Sequence, residues 1–456
     1  SGAGTSLFGP AGADISLTNN SIYVNSAVKT GLNVSANITL YGLGWVSVPN
    51  IYADRNDDGI FEEKCAAPEC EVLWSNPLLL VGDRITTLIF NTTHFTNFTS
   101  EMNMPPFQDT PILNSTNGNN AIDEANLTLY PQNAVDPDSD KITNISNWFV
   151  NSISLTMLNL PFDTELSVTS TIGSKDYSPY NHLAYGGVVT GIYPVWTPLG
   201  ISGGAYNFSA ADQKEMQVND SVYLNLSRNF TIELWARPKS IVPSTLIGKT
   251  AAANENFQIE MDPQGYILFR TLCAPDVVGR WTNSTTKLTA DNWYHIVGVH
   301  NDSNDRLVLF INGVQENYSA TYADMSTCMV SNYLTIGAYS AAGNSLWWDG
   351  LLDEIRIYNR SLSPEQIAMN YNSGQPNYLL ISAQETTIGE TWSANVTPND
   401  GTEDGITKSS NIVTITAGNA APNIDQVFMN SFGDRRGHVG RAARGHSVHR
   451  LGGAGR

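Results

Sequence analysis

Residues 349–367 read DGLLDEIRIYNRSLSPEQI. Up to about Asn359 the stretch continues a long run of strand and turn. It then ends in Ser363-Pro364-Glu365-Gln366, which is how a helix begins. Ser363 can accept a bond from a free backbone N–H, Pro364 suits the first helical position, and Gln366 stands where it closes a capping box. A single capped helix at the end of an all-β run needs an architecture to explain it.

Working outward, FTIELWARP (230–238) alternates Phe230, Ile232 and Leu234 with polar neighbours. WYHIVGVHNDSNDRLVLFINGVQE (293–316) is two strands around an Asn/Asp/Ser turn, and Asn312-Gly313 supplies a tight primed turn after them. YLTIGAYS (333–340) and GLLDEIRIYNR (350–360) repeat the pattern. Many strands with short turns over residues 155–374 indicate a jelly roll.

In order and spacing, NFTIELWARP, NWYHIVGVHNDSNDRLVLFINGV, LTIGAYS and WDGLLDEIRIYNRSLSPEQI resemble the laminin-G-like, concanavalin A-like lectin jelly roll. The resemblance covers roughly 155–374. It implies a short helix packed over the sheet edge after the DEIRIYNR strand, and so accounts for the capped helix. It implies a recognition fold that binds glycans or proteins, often through calcium at the sheet rim. The family's acidic strand matches Asp353 and Glu354, with Asp349 at the strand entrance. The family's early FDG turn reads Phe208-Ser209-Ala210, so a carboxylate commonly contributed there is absent. DPDSDKITNISNWFVN and ETWSANVTPNDG resemble two halves of the immunoglobulin-like repeats in archaeal or bacterial multidomain surface proteins.

The rest of the chain reads as an all-β protein. Residues 1–100 alternate with period two between Asn, Gly and Asp turns, which predicts an N-terminal antiparallel β-domain. Residues 101–154 and 375–418 each hold about three strands and one central tryptophan, Trp148 and Trp392. Together they make one immunoglobulin-like sandwich carrying the 155–374 jelly roll as an insertion. The alternative is two small modules in tandem. Residues 419–456 form a linker and a basic tail, RRGHVGRAARGHSVHRLGGAGR, whose composition departs abruptly from the rest. A frame-shifted or truncated end explains the tail better than a polyanion-binding segment, and disorder is expected there.

The formal charge of −19 over 456 residues excludes nucleic acid as a partner and suits a solvated extracellular surface or cation binding. Cys65 and Cys70 flank AAPE at hairpin-closing spacing, and Cys273 and Cys328 lie on separate strands of the jelly roll. Two disulfides in an oxidising compartment are expected, with zinc the alternative. Seventeen Asn-X-Ser/Thr sequons, among them Asn33, Asn91, Asn144, Asn229, Asn283 and Asn395, point the same way as candidate glycosylation sites. No apolar run reaches membrane-spanning length, and SGAGTS reads as the start of a processed chain.

The strongest metal signal is DRNDDGIFEE (54–63). Asp54, Asn56 and Asp58 alternate, Ile60 can offer a carbonyl, and Glu62 or Glu63 can close a structural calcium shell. Asp136, Asp138 and Asp140 in DPDSD are a weaker candidate. Catalysis is not expected. Glu233 stands alone on its strand, and Asp353 and Glu354 are adjacent and so face opposite sides. His295 and His300 likewise face opposite ways, and no nucleophile, zincin or phosphate-loop motif occurs. Trp347, Trp348, Tyr339 and Trp281 are the candidate ligand-binding residues, because an exposed aromatic face can hold the apolar side of a sugar ring. Adjacent Trp347 and Trp348 cannot both point inward on a regular strand. The expected function is recognition of a glycan or extracellular protein by a secreted, cell-surface, adhesin-like protein. The alternatives are a self-assembling subunit of a filament or surface layer, and an accessory module of an enzyme.

Overall fold

The computed structural model describes the strands and one cystine within residues 15–101. It also describes residues 103–416 apart from 117–124, 165, 169–170, 187–192, 252–253, 273–279, 305, 322–329 and 340–345. Residues 418–456 form a unit separate from 1–417. The basic tail, Cys273 and Cys328 all lie outside the described residues.

Apart from short helical turns the architecture is β, and every strand pair quoted below is antiparallel. Within residues 15–101 one sheet has five strands and another has three. Cys65 and Cys70 are joined by a disulfide with Cα atoms 5.5 Å apart. The hairpin Asn50–Asp54 with Glu63–Lys64 frames the 54–63 segment. Of that segment's ligand candidates, Asn56, Asp58, Ile60 and Glu62 lie outside the described residues, as do the side chains of Asp54 and Glu63.

The jelly roll is a pair of large sheets. One is eight-stranded and is centred on Gly350–Tyr358, Phe230–Pro238 and Tyr294–Asn301. The other is nine-stranded and runs from Leu166–Val168 through Met216–Val218, Leu334–Ile336, Ser244–Ala251, Asn254–Met261 and Tyr266–Leu272 to Arg280–Lys287. Their inner faces share one core containing Phe208, Phe230, Ile232, Leu234, Phe257, Phe269 and Trp348. Phe230 meets Phe269 edge-on, with centroids 6.4 Å apart. Gly298 lies beneath that ring: a Cβ there would approach Phe269 to 2.8 Å, so no larger residue fits without moving the aromatic. Asn312 and Gly313 both take positive φ, as a two-residue primed turn requires.

The strand Phe230–Pro238 is buried on both faces, although its alternation suggests one. Its outer face is covered by the helix Pro364–Tyr371 and by a second layer of strands. Ile367 of the helix joins Val297, Val299 and Phe310 of the eight-stranded sheet in a second core, together with Trp148 and Trp392. The helix therefore lies on the sheet's outer face, not only at its edge. Buried Glu233 is accommodated by His295 Nε2 at 2.6 Å and by Asn370 Nδ2, which donates to it at 2.9 Å. Tyr371 stacks on Trp235 with centroids 5.8 Å apart.

Ser363 caps the helix by accepting from Gln366 N at 3.2 Å, and Asn372 ends it in the left-handed conformation. The expected capping box does not form. Gln366 instead donates to Asn370 Oδ1 and Leu380 O, and accepts from Ser382 N at 2.7 Å. Ser363 N goes to Glu385 Oε1 at 2.6 Å. The side chain finds partners from the returning chain, which local sequence does not reveal.

Thr143–Val150 pairs along its whole length with Thr391–Asn399, from Thr143 opposite Asn399 to Val150 opposite Trp392. Leu127–Val135 pairs with Leu380–Ile381 in a separate three-stranded sheet. Trp148 and Trp392 touch edge-on at 6.4 Å between these layers.

Candidate functional site

The outer face of the nine-stranded sheet carries a row of side chains in register. Gln217 pairs with Thr335, Thr335 with Gly248, Gly248 with Gln258, Gln258 with Arg270, and Arg270 with Trp281. Alternation decides which face they take. Met216 and Val218, Leu334 and Ile336, Phe257 and Ile259, and Phe269 all point into the core, so the residues between them point out. Gly248 leaves the middle of the row without a side chain.

The row is held by a polar network. Arg270 Nη2 donates to Gln258 Oε1 at 2.9 Å, and Gln258 Nε2 donates to Thr245 Oγ1 and Glu260 Oε2, both at 2.9 Å. Arg270 also faces Glu255 at 3.0 Å and Glu260 at 3.5 Å. Irregular register between Glu255 and Gln258 brings Glu255 into this group although it is an odd number of residues from Glu260. Burial raises the pKa of both carboxyls, and the Arg270 charge opposes that rise. Tyr339, half-buried, is hydrogen-bonded to Glu255. Trp281 is 55% exposed and forms one wall of a cleft of about 240 Å³ with Glu255, Leu268, Arg270, Thr271 and Leu272. Gln217 Oε1 and Thr335 Oγ1 are buried and meet no hydrogen-bonding partner among the described residues.

Two of the four aromatic candidates thus stand in this region, Trp281 and Tyr339. Trp348 does not. It is fully buried in the core between the sheets and its Nε1 donates to Leu351 O at 3.3 Å. Trp347 is half-buried and is not part of that core. The core indole, Trp348, is closed to any ligand. Gln217, Thr335, Gln258 and Arg270 escaped sequence reading, because their association depends on cross-strand register. The polar residues Gln258 and Glu260 before the Asp262–Gly265 turn, and Arg270 after it, are the one local trace of it.

The acidic residues that the resemblance places at a rim metal site are engaged within the protein. Asp353 is buried; its Oδ2 accepts from Ile201 N at 2.8 Å and from Ser202 N, and its Oδ1 accepts from Glu354 N. It anchors the 200–204 loop. Asp349 accepts from Ser240 Oγ at 2.5 Å at the strand entrance. Asp353 and Glu354 also do not face opposite sides. Leu352 and Ile355 both enter the core, and Glu354 takes positive φ (49°) at a register shift, so both acids turn away from the core. Asp163 lies against the same loop and accepts from Gly204 N at 3.3 Å. Burial, and then the neighbouring carboxylates, hold Asp163 and Asp353 well above the ordinary carboxyl range. Burial pushes Glu354 up to about 7 against the pull of Arg356.

His295 and His300 point to opposite faces. His295 meets Glu233 and His300 stacks on Phe230 at 4.7 Å. Among the sequons, Asn229 is exposed, and Asn283 and Asn395 are half-buried. Asn144 is half-buried, with its amide oxygen enclosed. Asn33 is outside the described residues, as is its neighbourhood. Among the described residues no helix is long and apolar enough to cross a membrane.

No curated protein matches the chain. Among solved structures it is similar to domain 4 of an extracellular arabinanase from Geobacillus stearothermophilus in complex with arabinotriose. That likeness is 21% in identity over 42% of this chain and 90% of the other, with a TM-score of 0.33. It is similar to the receptor-binding domain of botulinum neurotoxin mosaic serotype C/D at 14% identity, over 48% and 50%, with a TM-score of 0.37. The binding domain of Paraclostridial Mosquitocidal Protein 1 shares 18% over 47% and 52%, with a TM-score of 0.36. The chain spans about half of each of these two toxin domains. Residues 210–368 match the family model of the concanavalin A-like lectin/glucanases superfamily, and the paired sheets around them are a concanavalin A-like domain.

Proposed function

We propose that this domain is a carbohydrate-recognition module of a secreted, cell-surface adhesion protein, and that it binds through the outer face of its nine-stranded sheet. The carrying observation is the exposed Trp281 ring beside the Gln258–Arg270–Glu255 network, in a cleft about the size of one sugar residue (about 240 Å³). An indole face offers an apolar platform, while fixed carboxylates and amides accept and donate to hydroxyls. The role is recognition and not hydrolysis, since Glu255 and Glu260 are both engaged by Arg270. The Cys65–Cys70 disulfide supports an extracellular setting.

The test is a glycan array probed with the full chain and with Trp281→Ala and Gln258→Ala. Binding that weakens about tenfold in each variant, with folding retained, supports the site; tenfold is about 1.4 kcal/mol. Equal binding by all three proteins, or none by the wild type, overturns it. Release of reducing sugar would make the domain an enzyme, and assembly on concentration would favour the filament reading.

A further inference from the structure

We propose that Asp136, Asp140 and Asp400, with the amide oxygen of Asn103, form a calcium site that ties together three chain segments distant in sequence. One carboxylate oxygen from each aspartate lies within 4.8 Å of the others. The group joins the loop between Leu127–Val135 and Thr143–Val150, the loop after Thr391–Asn399, and the segment just before Phe107–Ser115.

The hydrogen bonding shows which oxygens are in use. Asp136 Oδ1 accepts from Asp138 N at 2.8 Å and Asp140 N at 2.9 Å. Asp136 is 7% exposed, and its Oδ2 is buried and meets no donor among the described residues. Asp400 Oδ1 accepts from Thr402 N and Glu403 N, and its Oδ2 accepts from Asn103 Nδ2 at 2.8 Å. Asn103 is 2% exposed, and its Oδ1 is likewise buried without a donor. Neither Asp136 nor Asp400 forms an ion pair with a basic residue among the described residues, although a buried carboxylate ordinarily requires a counter-charge. A carboxylate oxygen and an amide oxygen, both nine-tenths buried and unused, beside two further carboxylates, are the donor set of a hard cation. Among the described residues the group holds no nitrogen or sulfur ligand to favour zinc. A buried set drawn from flexible loops suits calcium, which takes six to eight oxygens in loose geometry, better than magnesium, which keeps its waters. The bond from Met104 N to Asp138 Oδ2 at 2.7 Å already holds the segment before Phe107 against the loop that carries Asp136 and Asp140.

The experiment is equilibrium dialysis and thermal unfolding of the full chain in calcium and in chelator, on wild type, Asp136→Asn and Asp400→Asn. Asp136→Asn keeps the oxygen that organises the turn and replaces the unused one with an amide. The expected result is one fewer calcium bound per chain in each variant, and loss of the calcium-dependent rise in melting temperature seen in wild type. In chelator Asp136→Asn should melt no lower than wild type, since a like charge has gone, which separates lost binding from misfolding. The same bound calcium and the same rise in wild type and variants would overturn the proposal, as would a wild type indifferent to calcium. A full effect from magnesium alone would overturn the choice of ion.

Discussion

Trp281 and Trp348 show how much one residue's surroundings decide. Both are sheet-region tryptophans, yet one is 55% exposed and the other fully enclosed. Trp348→Ala is therefore a core truncation, expected to cost about 3–5 kcal/mol by urea denaturation whatever it does to ligand. Trp281→Ala should leave stability within about 0.5 kcal/mol. Sequence alone does not say which of the adjacent Trp347 and Trp348 enters the core, because residues 346–349 follow no regular strand. The same limit applies to Asp353 and Glu354. Strict alternation sends them to opposite faces, and the bulge at Glu354 cancels that. This bulge depends on a partner strand about 120 residues away, where Glu233 faces Arg356 and Trp235 faces Asp353, so no short window contains the information.

At the scale of the element, the helix was legible from four residues. Ser363, Pro364 and the turn that follows do what their chemistry dictates, because a cap is satisfied within its own first turn. Ser363→Ala should lower stability by about 1 kcal/mol, read from the midpoint of chemical unfolding. Gln366 behaves otherwise, since Ser382 and Leu380 compete for its amide. Gln366→Ala should consequently exceed the cap variant, at about 1–3 kcal/mol, because it strands Ser382 N and Asn370 Oδ1 in a buried setting. The strand Phe230–Pro238 teaches the complementary point. Polar residues between apolar ones mark a face that avoids the core, but Glu233 is covered as well, supplied with partners by His295 and by the helix itself. The outer-face row from Gln217 to Trp281 was not legible for the same reason, being an alignment of six strands and not a property of any one.

For the whole molecule, period-two alternation and the motif order were enough for the all-β class and the concanavalin A-like domain, since these are repeated many times over. The buried acids Asp163, Asp353 and Glu354 set a global property. A carboxyl whose folded pKa is raised keeps its proton in the fold after the unfolded chain has released it. Folding then takes up protons between the ordinary carboxyl range and about 7, so stability falls as pH rises through that window. The melting temperature should be higher at pH 5.5 than at pH 8, with Glu354 contributing on the order of 2 kcal/mol over that interval, and Glu354→Gln should flatten the profile. The ladder between Thr143–Val150 and Thr391–Asn399 has a mechanical consequence. Its ends, Thr143 and Asn399, sit side by side on the two strands that bracket residues 151–390, and tension that has peeled away the flanking strands reaches the ladder there. Tension applied along the polypeptide would cross from one strand to the other there and bypass everything between residues 150 and 391. Load would open that ladder one rung at a time, like a zip, before the jelly roll felt any pull. In a single-molecule stretching experiment, a low-force release should therefore precede the unfolding of the jelly roll.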